Sequence, residues 1–497
     1  MRRVLSWLAL LTASALLLQP ARADEILRIG SKRFTESYIL GEILRASAAP
    51  HANAEHRQGL GNTAIVFEAL KTGSIDVYPE YLGTIDLEIL KHAAPTSLEQ
   101  INRELAPLGL GAAIPLGFSN GYALAMREAD ARARSVASLS DLARLSELRF
   151  GLSHEYLGRV DGWPGLAKRY GLKSQPVGLE HGLAYDALAQ KQIDVIDIYS
   201  TDAKIKQFGL KVLADDAGYF PRYDAVLLYR LDVARRFPQA WSALQALGGR
   251  ITEADMITMN AAAEIDGRPF ADIAAGFVSQ RSAAIKPRAG LWAKLFNADL
   301  ARLTRQHVLL VLMALACAIL VGLPLGILAA FVPPLRHAVM ALVGVLQTVP
   351  SLALLAMLIP LLGTIGTLPA LIALFLYALL PIVRNTSIGI EQVPSGLRMA
   401  ALALGLTKRD RLLYIELPLA LPVILTGVKT AAVMSVGTAT IAAFIGAGGY
   451  GERIATGLAL NDNQLLLAGA IPAAMLALLT QFGFEVVEWR LRRRYTV

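Results

Sequence analysis

MAALALGLTKRDRLLYIELP (Met399 to Pro418) is the polar interruption of a C-terminal region that is otherwise apolar. On either side of it, from His307 onward, lie apolar runs near the ~20 residues needed to cross a bilayer. Five spans are expected: about 307–331, 338–361, 368–383, 419–445 and 465–487. The interruption falls between the third and fourth spans and carries Lys408, Arg409 and Arg411. A cluster of basic residues in such a loop marks the cytoplasmic side.

The preceding part of the chain has a different character. Residues 24–306 hold 33 Lys+Arg and 33 Asp+Glu, whereas residues 307–497 hold 12 and 7. The net charge of +8 therefore comes from the apolar part and from Arg2, Arg3 and Arg22 at the start. Positive loops of a membrane protein account for it, and no nucleic-acid partner is implied. A hydrophobic content of 54% and a mean hydropathy of +0.46 fit a soluble domain joined to a small membrane domain. Residues 1–23 have the parts of a secretory signal: Arg2 and Arg3, the apolar run Leu5–Leu18, and Ala21-Arg22-Ala23 as an A-x-A-like cleavage site. The sole cysteine, Cys317, lies in the first span, so the exported domain contains no disulfide and rests on a hydrophobic core.

Charge tests the topology. With residues 24–306 outside, the first span runs inward and the last ends inside. Arg336, the loop 384–418 and the tail then place ten basic residues inside, against Arg453 alone in the outer loops. That agrees with the positive-inside rule. Lys429, about ten residues into the fourth span, reads as a sign that the helix starts later than drawn, as snorkelling to the inner surface, or as a pathway or bundle charge.

Between residues 24 and 285 short β-rich runs alternate with amphipathic stretches. Ile26–Ile29, Ile75–Tyr78, Ala123–Met126, Leu148–Gly151 and Val195–Ile198 have strand character, and a helix is expected over Tyr38–Ala46. This alternation predicts an α/β domain with largely parallel sheets. Pro287, Gly290 and mixed charges mark a linker, placed at 286–306 before a permease-like region at 307–497.

Gly405, Ile415 ten residues on, and Leu417-Pro418 resemble the coupling-loop pattern of bacterial ABC importer permeases. Ala400 and Ala401 stand in its E-A-A start, but Met399 replaces the acidic residue. LQTVPSLALLAMLIP (Leu346 to Pro360) and GTATIAAFIGAGGYGERI (Gly437 to Ile454) resemble permeases of the osmoprotectant family that takes up glycine betaine, choline and carnitine. The exported half resembles the binding proteins of that family in IGSKRFTESYILGE (from Ile29), EALKTGSIDVYPEYLGT (from Glu68), PLGFSNGYALAM (from Pro115), FGLSHEYLGRVDGWPGL (from Phe150), DVIDIYSTD (from Asp194) and FPRYDAV (from Phe220). The resemblance implies a two-lobed α/β periplasmic binding protein, type II-like, followed by an all-α transmembrane permease of about five helices. It implies an inner-membrane location, a quaternary ammonium solute, a separate cytoplasmic ABC ATPase and two permease copies per transporter. Ala400, Ala401, Gly405, Ile415, Leu417 and Pro418 would couple to the ATPase. Tyr81, Tyr122, Tyr199 and Tyr223 stand where the family places an aromatic cage. Thr84 would hold a solute carboxylate, and Ser37 stands where some relatives have Gln. Tyr78, Tyr156 and Trp163 read as scaffold.

No G-x-x-x-x-G-K-[ST] phosphate loop is present, so ATP hydrolysis is expected from another subunit. No metal-ligand cluster and no nucleophile motif occurs, so no cofactor and no enzyme activity is expected. His154 and His181 read as surface or cleft-edge residues. The alternatives are an importer of another trimethylammonium solute such as ergothioneine, and a membrane-anchored ligand sensor. A sensor would need a cytoplasmic signalling domain, and ten residues follow Val487.

Overall fold

The computed structural model describes residues 25–92, 94–279, 290–460 and 462–495. The expected leader and residues 280–289 at the linker lie outside the described residues.

The exported half forms two five-stranded sheets, one per lobe. The first holds β1 (Ile26–Gly30), β2 (Asn53–Arg57), β3 (Val77–Tyr81), β4 (Leu110–Ala113) and β10 (Ala225–Arg230), in the order β2-β1-β3-β10-β4. The second holds β5 (Tyr122–Arg127), β6 (Phe150–Ser153), β7 (Val177–Leu179), β8 (Val195–Tyr199) and β9 (Leu210–Val212), in the order β7-β6-β8-β5-β9. β1 runs parallel to β2 and β3, and β6 parallel to β7 and β8. One strand in each sheet breaks the parallel pattern: β10 is antiparallel to β3 and β4, and β5 to β8 and β9. The antiparallel strands follow from the route of the chain, which passes from the first lobe to the second after β4 and returns before β10. The two crossings lie side by side: Ser119 bridges Asp224, and Asn120 N–H donates to the Tyr223 carbonyl at 3.0 Å.

Four helices of this half matter below: α1 (Thr35–Ala48), α2 (Thr63–Lys71), α3 (His181–Ala189) and α4 (Glu253–Glu264). Asn62 begins α2 by accepting from Ile65 N–H, and Thr252 with Asp255 forms a capping box on α4.

The membrane half contains α5 (Leu300–Phe331), α6 (Pro333–Thr348), α7 (Ser351–Leu362), α8 (Thr367–Glu391), α9 (Ser395–Ala403), α10 (Lys408–Arg411), α11 (Leu417–Thr438), α12 (Gly451–Leu460) and α13 (Asn463–Tyr495). Among the described residues four stretches have the length and apolarity to span, and one bent pair of helices passes the same test together. The expected straight span 338–361 is instead α6 and α7, which meet at 99° across Val349-Pro350. Proline lacks the N–H that would continue the helix, and the Tyr377 hydroxyl of α8 donates to the Val349 carbonyl at the bend, at 2.5 Å. Lys429 proves to be a bundle contact, 2.8 Å from Glu488 of α13. Arg453, the one outer basic residue, is buried and pairs with Asp299 at 2.8 Å.

The two halves touch. One buried apolar cluster joins Val66, Ala69 and Leu70 of α2 to Leu354, Leu355 and Leu358 of α7.

Candidate functional site

The four tyrosines converge from strand ends. Tyr81 closes β3, Tyr122 opens β5, Tyr199 closes β8, and Tyr223 lies two residues before β10. Tyr122 and Tyr199 are register partners on adjacent strands. Strand ends facing the gap between two sheets are where open α/β folds place ligands. Lys32, Phe34, Tyr81, Thr84, Asn120, Tyr122, Glu155, Tyr199 and Tyr223 line a single pocket, closed down to about 10 Å³. Ring centroids lie 5.0 Å apart for Tyr122 and Tyr199, 5.7 Å for Tyr122 and Tyr223, and 5.5 Å for Phe34 and Tyr199.

Anchored hydroxyls fix the rings. Tyr223 donates to Asp161 at 2.6 Å, and Tyr81 donates to Glu36. Tyr122 and Tyr199 bring their hydroxyls to 3.4 Å. Burial pushes all four phenols well above their usual range, so they stay neutral donors at any physiological pH.

Thr84 lines the pocket and is buried, and the Arg159 Nη2 donates to its hydroxyl at 3.4 Å. Ser37 does not line the pocket. It is buried in α1, where its hydroxyl accepts the Lys32 N–H at 2.8 Å and fixes the loop that carries Lys32 and Phe34. Tyr78, Tyr156 and Trp163 are buried, and the Tyr156 ring backs Tyr122 at 5.0 Å.

Sequence reasoning passed over several site residues. Phe34 lines the pocket beside the four tyrosines, although it stands within the quoted SKRFTES segment. The Lys32 ammonium is buried 2.6 Å from Glu80 and 5.1 Å from the Tyr81 ring centroid. The Arg159 guanidinium binds Asp161 through Nε at 2.7 Å and lies 5.2 Å from the Tyr122 ring. The Arg-Val-Asp triplet in LGRVDGW was the available signal. Glu36 is buried at the hinge and accepts from Tyr81 of the first lobe, Asn120 of a crossing (2.9 Å), Thr201 after β8 (2.5 Å) and Asn260 of α4 (3.2 Å). Burial pushes its carboxyl up, against these four donated bonds. His181, expected at the cleft edge, lies 4.7 Å from the Tyr199 ring and 3.0 Å from Asp202.

A second site lies on the membrane half. α9, a turn at Gly405 and α10 form a small helical hairpin, with α10 begun by a Thr407–Asp410 capping box. Gly405 has φ +77°, a conformation that a side chain disfavours. Ala401 is buried; Ala400 and Gly405 are exposed; Ile415, Leu417 and Pro418 are half-buried at the start of α11. Leu397, Met399, Leu402, Leu404, Leu413 and Tyr414 are all exposed, an apolar surface of the kind that marks an interaction site. Glu416 is fully buried beneath it, 3.2 Å from Arg398 and 3.1 Å from Arg411. Beside α6 and α7 runs an open groove of about 910 Å³, lined by Met340, Thr348, Tyr377, Met434, Ser435 and Thr438 among others.

Residues 25–280 match the family described as the substrate-binding domain of the ABC-type glycine betaine transport system. Residues 322–493 match the inner-membrane component of binding-protein-dependent transport systems. An osmoprotectant import permease protein of Salmonella typhimurium is 44% identical over 202 residues, covering 40% of this chain and 91% of that protein. A glycine-betaine-binding protein of Pseudomonas aeruginosa is 32% identical over 275 residues, covering 52% of this chain and 88% of that protein. An ergothioneine transport permease/ergothioneine binding protein of Helicobacter pylori is 34% identical over 271 residues. That match takes in 52% of this chain and 48% of the relative, about half its length.

Proposed function

The chain belongs to the family of glycine betaine-type ABC importers, as a substrate-binding domain fused to its inner-membrane permease, and from that premise we propose that it captures a quaternary ammonium solute outside the membrane and delivers it inward. The observation that carries this reading is the convergence of Tyr81, Tyr122, Tyr199, Tyr223 and Phe34 on one closed pocket. A trimethylammonium group has no hydrogen to donate, so acceptors alone give it no directional bond. Aromatic faces attract its diffuse charge by ~0.5–2 kcal/mol each. Lys32 and Thr84, with Arg159 behind it, offer donors to the same pocket, although each cation is already paired, Lys32 with Glu80 and Arg159 with Asp161, and Glu155 adds a carboxylate to the wall. A solute bearing a carboxylate as well, such as glycine betaine or carnitine, can take up the donors of Lys32 and Thr84, which choline leaves without a carboxylate partner.

Residues 24–285 form the capture domain, residues 286–306 the linker and residues 307–497 the permease, with residues 1–23 removed on export. The exposed apolar face around Gly405 docks a separate cytoplasmic ATPase, which supplies the hydrolysis. Two copies of the permease pair around one pathway, because five spans are too few to enclose it.

Calorimetry of the full chain in detergent with glycine betaine, carnitine, choline and ergothioneine tests the capture step. Saturable binding of the carboxylate-bearing betaines, tighter than that of choline, is expected. Binding of none of the four refutes the cage, and tighter binding of choline refutes the role given to Lys32 and Arg159.

A further inference from the structure

Apart from the α2–α7 cluster, the segment between α11 and α13 touches each lobe of the capture domain at a separate point. On the first lobe, the Arg33 guanidinium lies 4.3 Å from the Phe444 ring centroid, and a Cβ on Gly446 would come within 2.6 Å of Leu60. On the second lobe, the contact is backbone against backbone. Gly182, the second residue of α3, faces the last turn of α12 so closely that a Cβ would lie 2.6 Å from the Leu458 carbonyl oxygen and 3.1 Å from that of Ala459. Carbonyls in a helix's last turn lack partners within the helix and carry partial negative charge, whereas a helix start carries the opposite sign. The two ends attract, and glycine lets them meet.

The two contact points are joined by a compact knuckle. Gly446, Gly448 and Gly449 all have positive φ, at +76°, +84° and +85°. The knuckle is seated on α5: Gly449 N–H donates to the Gln306 side chain at 3.2 Å, and the His307 ring lies 4.7 Å from that of Tyr450. α12 starts directly after it.

The second contact leads to the solute cage. α3 begins at His181, whose ring lies against Tyr199. Ala459 of the permease lines a small pocket together with Phe34, Asn120 and Tyr199, three members of the cage wall. A residue of the membrane domain therefore stands in the second layer of the binding site.

We propose that the seat of α12 on the start of α3 is the point at which the permease opens the cage: displacement of α12 about the glycine knuckle shifts α3, and His181 then draws Tyr199 away from the other rings. The proposal rests on the cage reading given above. Gly182 is its marker, because it serves the seat and lines neither the cage pocket nor the small pocket beside it.

The test is Gly182→Ala in the full chain, reconstituted with its ATPase subunit in liposomes and compared with the unaltered protein. Alanine is the better helix former, so α3 itself is not weakened. The solute is whichever of glycine betaine, carnitine and choline binds most tightly. The dissociation constant is expected to stay within about two-fold, while uptake and solute-stimulated ATP hydrolysis fall by about five-fold or more. Uptake within two-fold of the unaltered protein, with binding intact, overturns the release seat and leaves the cage standing. A dissociation constant that weakens in step with uptake also overturns it, since the substitution would then have acted on capture. Binding of none of the three solutes by the unaltered chain overturns the cage and this inference with it.

Discussion

Tyr223 offers the cleanest measure of what one aromatic face contributes. Tyr81 already has Lys32 at 5.1 Å from its ring, Tyr122 has Arg159 at 5.2 Å, and Tyr199 has His181 at 4.7 Å. Tyr223 lacks such a cation among the described residues, so a bound ammonium gains its full attraction. Its ring is slotted against Gly83, where a Cβ would lie 2.7 Å from Cδ1. Replacing Tyr223 by Ala removes one desolvated cation–π contact, worth ~1–2 kcal/mol, or about 5–30-fold in affinity. Replacing it by Phe keeps the face and loses the hydroxyl that donates to Asp161. Asp161 retains its two bonds to Arg159 at 2.7 and 2.5 Å. The Phe variant should therefore lose ~1.5–3 kcal/mol of stability, the value of a bond to a charged group, with affinity within about three-fold. Calorimetric titration with glycine betaine, beside thermal unfolding of the same preparations, separates the two effects. Phe weakening binding as much as Ala would refute the aromatic argument, since the hydroxyl would then be what the solute needs. Unchanged binding in the Ala variant would remove Tyr223 from the cage.

Three further substitutions address other parts of the molecule. Gly405→Glu forces a side chain into positive φ at a cost of ~1–2 kcal/mol confined to the turn; uptake should be lost with solute affinity unchanged, and normal uptake would contradict the coupling role. Glu416→Ala strips the buried carboxylate from between Arg398 and Arg411 and should cost ~3–5 kcal/mol locally; faster proteolysis of the 395–411 hairpin is expected, and unaltered cleavage would refute the clamp. At His181, burial favours the neutral ring, but the charge of Asp202 and the bond to it outweigh this and raise the pKa. A raised folded value means that the stabilisation is complete below the unfolded value of about 6.5 and is lost as pH rises through the folded one. The melting temperature of the unaltered chain should fall across that window relative to His181→Gln, and parallel pH profiles would refute the pairing.

The sequence was legible where one physical signal dominates. Strand alternation placed β1, β5 and β8 within a residue or two, whereas the four tyrosines were singled out by family resemblance, and the structure brings them together because each ends or adjoins a strand facing the cleft. Charge asymmetry oriented the spans, and the outer loops do touch the exported domain, at Phe444 and Leu458. The bend at Val349-Pro350 had a local sign in Gln347, Thr348, Pro350 and Ser351, but proline and polar residues are tolerated inside membrane spans, so the sequence alone did not set the angle. What fixes it is a bond from Tyr377 and the packing of α7 beneath α2, both remote in sequence. Glu36 was hidden for the same reason: its partners lie 45 to 224 residues away. The antiparallel β10 and β5 follow from the double crossing between lobes, which no local pattern encodes.

Covalent fusion changes what the outer contacts must do. Between Ser279 and Gly290 the chain can reach at most about 40 Å, at ~3.3–3.6 Å per residue. A domain on so short a tether stays near its permease at millimolar effective concentration. Contacts such as Arg33 on Phe444 and Gly182 on Leu458 need not win an encounter from solution, so the interface is free to be small. Selection then acts on how the contact differs between the states of the permease, since only a difference in affinity between two states can do conformational work. Backbone-to-backbone seating at glycine suits that role. It tolerates little displacement, so a small movement of α12 makes or breaks it as a unit.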